Sequence, residues 1–187
     1  MKGIDISAWQ ENVDWQAVIS SGIEFVIVKI GENYQLDGMF IDHINNAVNH
    51  GLKVGVYYYS KVTNETQAQS EADWIDTQIK QYLNGKCPEM GIWYDMEDNS
   101  IADSGADITG LCRTFTGQIK LAGYGYVGVY SSYNWLTNGN IDTANLDVPY
   151  WCAQYNFECN FPNPNIWQNT DSLVIGGQSF DGDIAYE

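Results

Sequence analysis

Cations are what this sequence has least of. Among 187 residues, 8 are Lys or Arg against 24 Asp or Glu, giving a formal charge of −16. Arg113 is the single arginine. A phosphate backbone needs clustered Lys and Arg, which argues strongly against a nucleic acid partner. Anionic membrane surfaces are disfavoured on the same ground. No run of 18 apolar residues occurs, so no segment is expected to span a bilayer. Met1-Lys2-Gly3-Ile4-Asp5 enters structure at once, with no cationic stretch ahead of a long apolar run, so no signal peptide is expected in this chain. The only histidines, His43 and His50, stand seven apart on one expected helix, whereas two ligands on a helix need three- or four-residue spacing. No metal site and no cofactor are expected. The four cysteines (Cys87, Cys112, Cys152, Cys159) have no CxxC spacing, only Cys152 and Cys159 are near in sequence, and all four are expected as free thiols. No glycine-rich phosphate loop follows a strand, and no Ser or Cys sits in a nucleophile elbow.

What is present is apolar and aromatic. The chain is 44% hydrophobic, with 7 Trp and 13 Tyr. That is enough to build a core and to offer flat surfaces to a neutral, polyhydroxylated ligand such as a sugar. The length suits one domain spanning 1–187.

Extended and helical segments alternate. Lys2–Ser7 reads as a strand, Asp14–Ser21 as a short amphipathic helix, and Glu24–Ile30 as a strand buried on both faces. A helix over Met39–Asn49, a strand over Lys53–Tyr59, a helix near Asn64–Gln81, a strand over Met90–Met96, a helix over Asp107–Leu121 and a strand over Tyr126–Ser131 follow. Strand starts near 24, 53, 90 and 126 recur at a spacing that suits βα units of a parallel barrel. After about residue 140 only short strands are expected, at Pro149–Gln154, Asn165–Gln168 and Leu173–Ile175. The expected fold is therefore an α/β barrel with helices around its first five strands and bare strands closing it. On the helix 64–81, Glu65, Glu71, Asp73 and Asp76 read as a solvated face.

Side chains alternate faces along a strand, so Trp93, Asp95 and Glu97 point one way and Ile92, Tyr94 and Met96 the other. Asp95 and Glu97 thus leave the C-terminal end of a central strand together, where barrel sites form. Two carboxyls this close push one proton affinity upward. One acid held protonated beside one ionised is what glycoside hydrolysis uses. The pair also reads as solvated acids opening a loop, since Asp98 and Asn99 continue the polar run. Asp5, between Ile4 and Ile6, faces the barrel interior if those isoleucines face the helices. The same alternation sends Tyr57 and Tyr59, and Tyr130, toward that mouth. Phe180-Asp181-Gly182-Asp183 reads in isolation as a turn or calcium-like sequence without EF-hand spacing.

Gly3-Ile4-Asp5-Ile6-Ser7 with Trp9-Gln10 resembles the opening of the family 25 glycoside hydrolases, the Chalaropsis-type lysozymes. Phe25–Lys29 followed by Glu32, Gly51–Tyr59, Ile92–Asp98 with its D-x-E centre, Tyr150–Tyr155, Ile166–Gln168 and Gly182-Asp183-Ile184 resemble their later motifs in the same order. The resemblance implies a flattened TIM-like (β/α)5β3 barrel that cleaves the β-1,4 bond between N-acetylmuramic acid and N-acetylglucosamine in peptidoglycan. It implies Glu97 as general acid and then base, and Asp95 as nucleophile or as stabiliser of N-acetyl participation. Asp5 and a closing acid, Asp183 in preference to Asp181, would flank the site. Tyr57, Tyr59, Trp93, Tyr130 and Trp151 would offer faces to the sugar, and Glu32 and Gln154 polar contacts. Three places depart from the family pattern: Tyr58 where many members carry histidine, Cys152 at a usually aliphatic position, and the stretch GGQSFDGD.

The competing readings are a glycan-binding barrel that does not cut, and a metal-dependent polysaccharide deacetylase, for which two helical histidines are a poor ligand set. A monomer acting at the bacterial cell wall is expected, and the chain's negative charge leads to the expectation of a separate wall-binding module past Glu187. Walls that carry teichoic acids are polyanionic and repel a −16 chain. Lysis of such walls is expected to rise from low to moderate salt; turbidity clearing that falls steadily from low salt upward overturns the repulsion argument.

Overall fold

The computed structural model describes residues 1–186. In chain order the elements are β1 (Lys2–Ile6), α1 (Trp15–Ser20), β2 (Phe25–Glu32), β3 (Gln35–Leu36), α2 (Phe40–Asn49), β4 (Lys53–Tyr59), α3 (Glu65–Tyr82), β5 (Ile92–Asp95), α4 (Asn99–Asp103), α5 (Ile108–Leu121), β6 (Val127–Ser132), α6 (Tyr133–Thr137), β7 (Tyr150–Ala153), β8 (Ile166–Ile175) and β9 (Gln178–Ala185). Strands β1, β2, β4, β5, β6, β7 and β8 run parallel side by side. β9 closes the barrel antiparallel to both β8 and β1. The short β3 folds back on the end of β2.

Strand alternation builds two separate apolar layers. Ile4, Ile6, Val26, Val28, Val54, Val56, Ile92, Tyr94, Val127 and Val129 face outward and pack under the helices. Phe25, Ile27, Trp93, Tyr130, Trp151 and Ile166 fill the lumen, which is a packed core and not a pore. Gly128 makes room for this filling: a Cβ there would lie 2.6 Å from the Trp93 ring and 2.4 Å from the Pro149 carbonyl oxygen. All the helices but α2 start on side-chain caps, with Asp14, Asn64, Asp98, Asp107 and Ser132 each accepting a first-turn N–H. Each such cap contributes about 1 kcal/mol.

The five helix-bearing units match the expected (β/α)5β3 plan, and the end of the chain departs from it in detail. Asn165–Gln168 and Leu173–Ile175 are not two strands but parts of one long β8, whose polar middle is accommodated by irregular register between Gln168 and Leu173. The stretch read as a turn is the last strand, β9, joined to β8 by Gly176 and Gly177 at φ +59 and +84. Paired glycines with positive φ allow a two-residue hairpin.

Helix α3 also differs from expectation. It buries Ala68, Glu71, Ala72, Ile75 and Ile79, so Glu71 lies on the apolar stripe with only 1% of its surface exposed. The hydroxyls of Ser60 and Tyr94 donate to its Oε2 at 2.8 and 2.6 Å. Burial pushes its carboxyl up to about 7, against an ordinary value of 4.5, with those hydrogen bonds opposing. A carboxyl whose folded value exceeds its unfolded one binds its proton more tightly in the native state. Its contribution is therefore complete below about pH 4.5 and lost as pH rises toward about 7. Glu71→Gln is expected to remove up to about 3 kcal/mol of that decline. Denaturant unfolding at pH 4.5 and pH 7.5 checks this, and equal slopes in the two chains would refute it.

Candidate active site

Two depressions meet at the C-terminal mouth of the barrel and share Tyr57, Asp95 and Glu97. The more enclosed one, about 80 Å³, is completed by Asp5, Tyr130, Trp151, Gln168 and Asp181. The wider one, about 290 Å³, is completed by Ser7, Trp9, Lys29, Glu32 and Tyr59. Together they form a cleft across the mouth with the acid pair at its waist. Register explains the gathering: Asp95 lies level with Tyr59 on β4 and Tyr130 on β6, and Tyr130 level with Trp151 on β7.

Asp95 is 3% exposed, and its Oδ1 has no hydrogen-bond partner among the described residues. Burial first, then the neighbouring Glu97, pushes its carboxyl well above the usual range, and Lys29 opposes. Glu97 stands at the rim where solvent reaches it. Its carboxyl is also raised, by the thin hydration inside the mouth and next by Asp181 and Asp98, again against Lys29. The pair therefore retains a proton under conditions where isolated carboxyls would both be ionised. The opposing cation is itself held: Lys29 Nζ lies 2.6 Å from Glu32 Oε2 and 5.2 Å from the centre of the Tyr59 ring. Tyr59 in turn donates its hydroxyl to Asp98 Oδ2 at 3.1 Å.

Behind the pair runs a chain of hydrogen bonds across the seam where the first and last strands meet. Gln168 Nε2 donates to Asp5 Oδ2 at 2.8 Å, while Gln168 Oε1 accepts from Tyr130 and Tyr155, each at 3.0 Å. Trp151 Nε1 donates to Asp183 Oδ1 at 2.8 Å. Burial, and next the neighbouring Asp5, pushes the Asp183 carboxyl well above the usual range, so the two buried acids hold a proton between them. Burial, and next Asp181, brings Asp5 to about 7.

Of the residues named from sequence, Asp5, Glu32, Tyr57, Tyr59, Asp95, Glu97, Tyr130 and Trp151 all line the cleft. Three sit elsewhere. Trp93 faces inward but lies one layer down, fully buried, with Nε1 donating to the Met90 carbonyl. Residues two apart on a strand differ by about 6.5–7 Å in depth, so the face was right and the layer wrong. Gln154 turns to the following loop, where its Oε1 accepts from Asn160 N at 2.7 Å. Asp183 is buried beneath Asp5, and Asp181 is the acid of β9 that lines the cleft. Lys29, Gln168 and Tyr155 are further candidates at or beside the cleft to which sequence reasoning gave no role, while Asp181 had been placed second to Asp183. Lys29 could have been found as the one charge inside an otherwise apolar strand, and Gln168 by continuing the inward alternation from Ile166.

A barrel with paired acids and aromatic walls at its C-terminal mouth is the architecture of a carboxylate glycosidase. The chain belongs to Glycosyl hydrolases family 25, whose sequence pattern it matches over residues 4–178. It is 27% identical to Lysozyme M1 of Streptomyces globisporus over 98% of this chain and 66% of that protein. It is 32% identical to the autolytic lysozyme of Clostridium acetobutylicum over 98% of this chain and 55% of that protein. The modular autolysin LytC from Streptococcus pneumoniae superimposes with a TM-score of 0.83 at 28% identity, over 99% of this chain and 46% of that one. The chain thus spans about half to two thirds of these relatives.

The burial of Asp183 under Asp5 separates the two acids of β9 by experiment. Asp183→Asn keeps an acceptor for Trp151 Nε1 and changes a group that does not line the cleft, so clearing of a peptidoglycan suspension is expected to fall several-fold at most. Asp181→Asn removes an anion from the cleft wall and is expected to cost on the order of 10²-fold, the scale of a lost transition-state electrostatic contact. The reverse ranking would make Asp183 the closing acid.

Proposed function

We propose that this chain is a peptidoglycan hydrolase of the lysozyme type, an N-acetylmuramidase that cuts the β-1,4 bond between N-acetylmuramic acid and N-acetylglucosamine. The observation that carries the reading is the acid pair itself: Asp95 buried with an unpaired oxygen, and Glu97 beside it at the rim with a raised proton affinity. A barrel that only held glycans would gain nothing from two crowded, desolvated carboxyls, which disfavour the folded state. Lysozymes among the relatives of this chain support the same substrate class.

In this reading Glu97 gives its proton to the glycosidic oxygen, because it is the member of the pair that an incoming chain can reach. As the bond breaks, positive charge grows on the sugar ring, and that charge favours the ionised form of Asp95 at the moment it is needed. The unpaired Oδ1 of Asp95 then either closes on the anomeric carbon or takes the N–H of the substrate's acetamido group so that its carbonyl attacks. Glu97, now ionised, draws a proton from water in the second step. Asp5, fixed by Gln168 and Asp183, and Asp181 place further negative charge near the ring. Tyr57, Tyr59, Tyr130 and Trp151 supply walls that fit the apolar faces of sugars. The proposed functional unit is the catalytic domain 1–187, monomeric, acting at the bacterial cell wall, with glycan anchoring left to a separate module of the full-length protein.

Mass spectrometry of digested peptidoglycan tests the bond. Reducing-end muramic acid is expected, and reducing-end glucosamine would make the enzyme a glucosaminidase. Glu97→Gln should abolish clearing while saccharide binding persists. Because Glu97 must carry its proton, activity should decline on the alkaline side as that proton is lost.

A further inference from the structure

Trp9 is 90% exposed, whereas every other tryptophan of the chain is buried or half-buried. A single apolar side chain in water is ordinary. What sets Trp9 apart is the turn that presents it. Ser7–Gln10 leaves the end of β1 outside any helix or strand, yet each of its successive backbone N–H groups is paired. Ser7 N donates to Gln10 Oε1 at 3.0 Å and Ala8 N to Asp37 Oδ2 at 3.1 Å. Trp9 N donates to Ser7 Oγ at 3.3 Å and Gln10 N to the Ser7 carbonyl at 3.0 Å. That carbonyl also accepts from His43 Nε2 on α2, at 3.1 Å. Asp37 is fastened in turn, its Oδ1 accepting from Met39 N at 3.0 Å. Groups from α2 and the loop before it therefore hold a short turn in place, and what the turn holds out is an indole. Loops braced in this way on a barrel are where binding side chains are carried.

The indole stands at the cleft, lining the wider depression with Lys29, Glu32 and Tyr59. The two depressions differ in charge. The narrow one adds Asp5 and Asp181 to the shared acid pair, with no cation among its lining residues. The wider one adds Lys29 and Glu32, which close on each other at 2.6 Å and offset one another. In glycosidic cleavage positive charge grows on the ring whose anomeric carbon is attacked. That ring belongs over the narrow, more anionic depression. The sugar on the other side of the breaking bond then falls over the wider one, beside Trp9.

We infer that Trp9 is a binding platform for the leaving saccharide: the first sugar beyond the cut, a neutral N-acetylhexosamine, lays the C–H face of its ring on the indole. A neutral ring suits this place because a carboxylate there would meet Asp95, Glu97 and Glu32. An aromatic face covers the apolar side of such a ring and leaves its hydroxyls in water. Since the turn is already braced, binding there orders little further chain. The inference rests on the muramidase reading and deepens it by fixing the direction in which the glycan crosses the cleft.

The test compares two soluble substrates: uncrosslinked peptidoglycan glycan strands, and the β-fluoride of the N-acetylglucosaminyl–N-acetylmuramic acid disaccharide. The fluoride has no sugar on its leaving side and cannot reach Trp9. Trp9→Ala is expected to raise KM on the strands roughly 10-fold with kcat within about twofold, as loss of a contact kept through the reaction does. Its kcat/KM on the fluoride should equal that of the wild type, which also reports an intact fold. Trp9→Tyr keeps an aromatic face and should recover most of the loss on the strands. Phe157→Ala should match the wild type on both substrates, because Phe157 is as exposed as Trp9 but lines neither depression. Equal loss on the fluoride would put Trp9 on the other side of the bond and overturn the inference. So would an unchanged KM on the strands, a Trp9→Tyr chain no better than Trp9→Ala, or an equal loss in Phe157→Ala. New reducing ends of muramic acid with unaffected variants would strike this inference alone, whereas new ends of glucosamine would strike the muramidase reading itself.

Discussion

Like charges crowded into a poorly hydrated mouth govern this molecule. Asp5, Asp95, Glu97, Asp181 and Asp183 converge there, and Lys29 is the cation that opposes Asp95 and Glu97. Neither full ionisation nor full protonation suits such a cluster, because desolvation and repulsion penalise the first and glycosidic chemistry requires an anion. The arrangement resolves this by depth. Asp183, lowest and fully enclosed, shares a proton with Asp5, whereas Glu97 at the rim can exchange its proton with water and substrate. Asp95 sits between these extremes with one oxygen left open. A gradient of hydration thus sorts chemically similar groups into different roles.

Such crowding disfavours the folded chain, and the remainder of the structure has to offset it. The offset comes from two apolar layers that the period of two keeps apart, one under the helices and one in the lumen. The lumen layer does more than stabilise. Trp93 and Trp151, with ring centres 5.9 Å apart, form part of the floor on which the acids stand. Trp151 also aims its N–H at Asp183. A buried acid beyond the mouth is treated differently: Glu71 receives two hydroxyl donors on one oxygen and sits at the junction of α3 with the barrel wall.

The face of each strand was legible in the sequence because alternation is a local property. Ile4 and Ile6 did turn outward and Asp5 inward, and Asp95 and Glu97 came to one cleft. Depth along the barrel axis was not legible, because it depends on shear between strands that touch only in three dimensions. That is why Trp93, expected beside the acids, lies a layer below them. The misreading of Glu71 had a different origin. Its stripe of Ala68, Ala72, Ile75 and Ile79 was visible in the sequence, but charge was weighed above position. The closing hairpin was obscured because β8 carries a polar, irregularly paired middle and β9 an acid on each side of a glycine, so neither shows the pattern of a buried strand.

The seam between β1 and β9 gives the site a property that no single strand has. Asp5 is level with Asp181 across that seam, and Gln168 reaches Asp5 over 163 residues of sequence. The acid pair on β5 belongs to the middle of the chain, but its electrostatic surroundings are set only when the last strand pairs with the first. Contacts of such separation form against a large loop-closure entropy and are characteristic of slow, late steps in folding. A barrel open at this seam would have its helices and most of its lumen in place while Asp5, Asp181 and Asp183 stood apart in water, each free to ionise. The raised proton affinities at the mouth are therefore a product of closure, and the mouth acquires its chemistry in the same event that completes the fold.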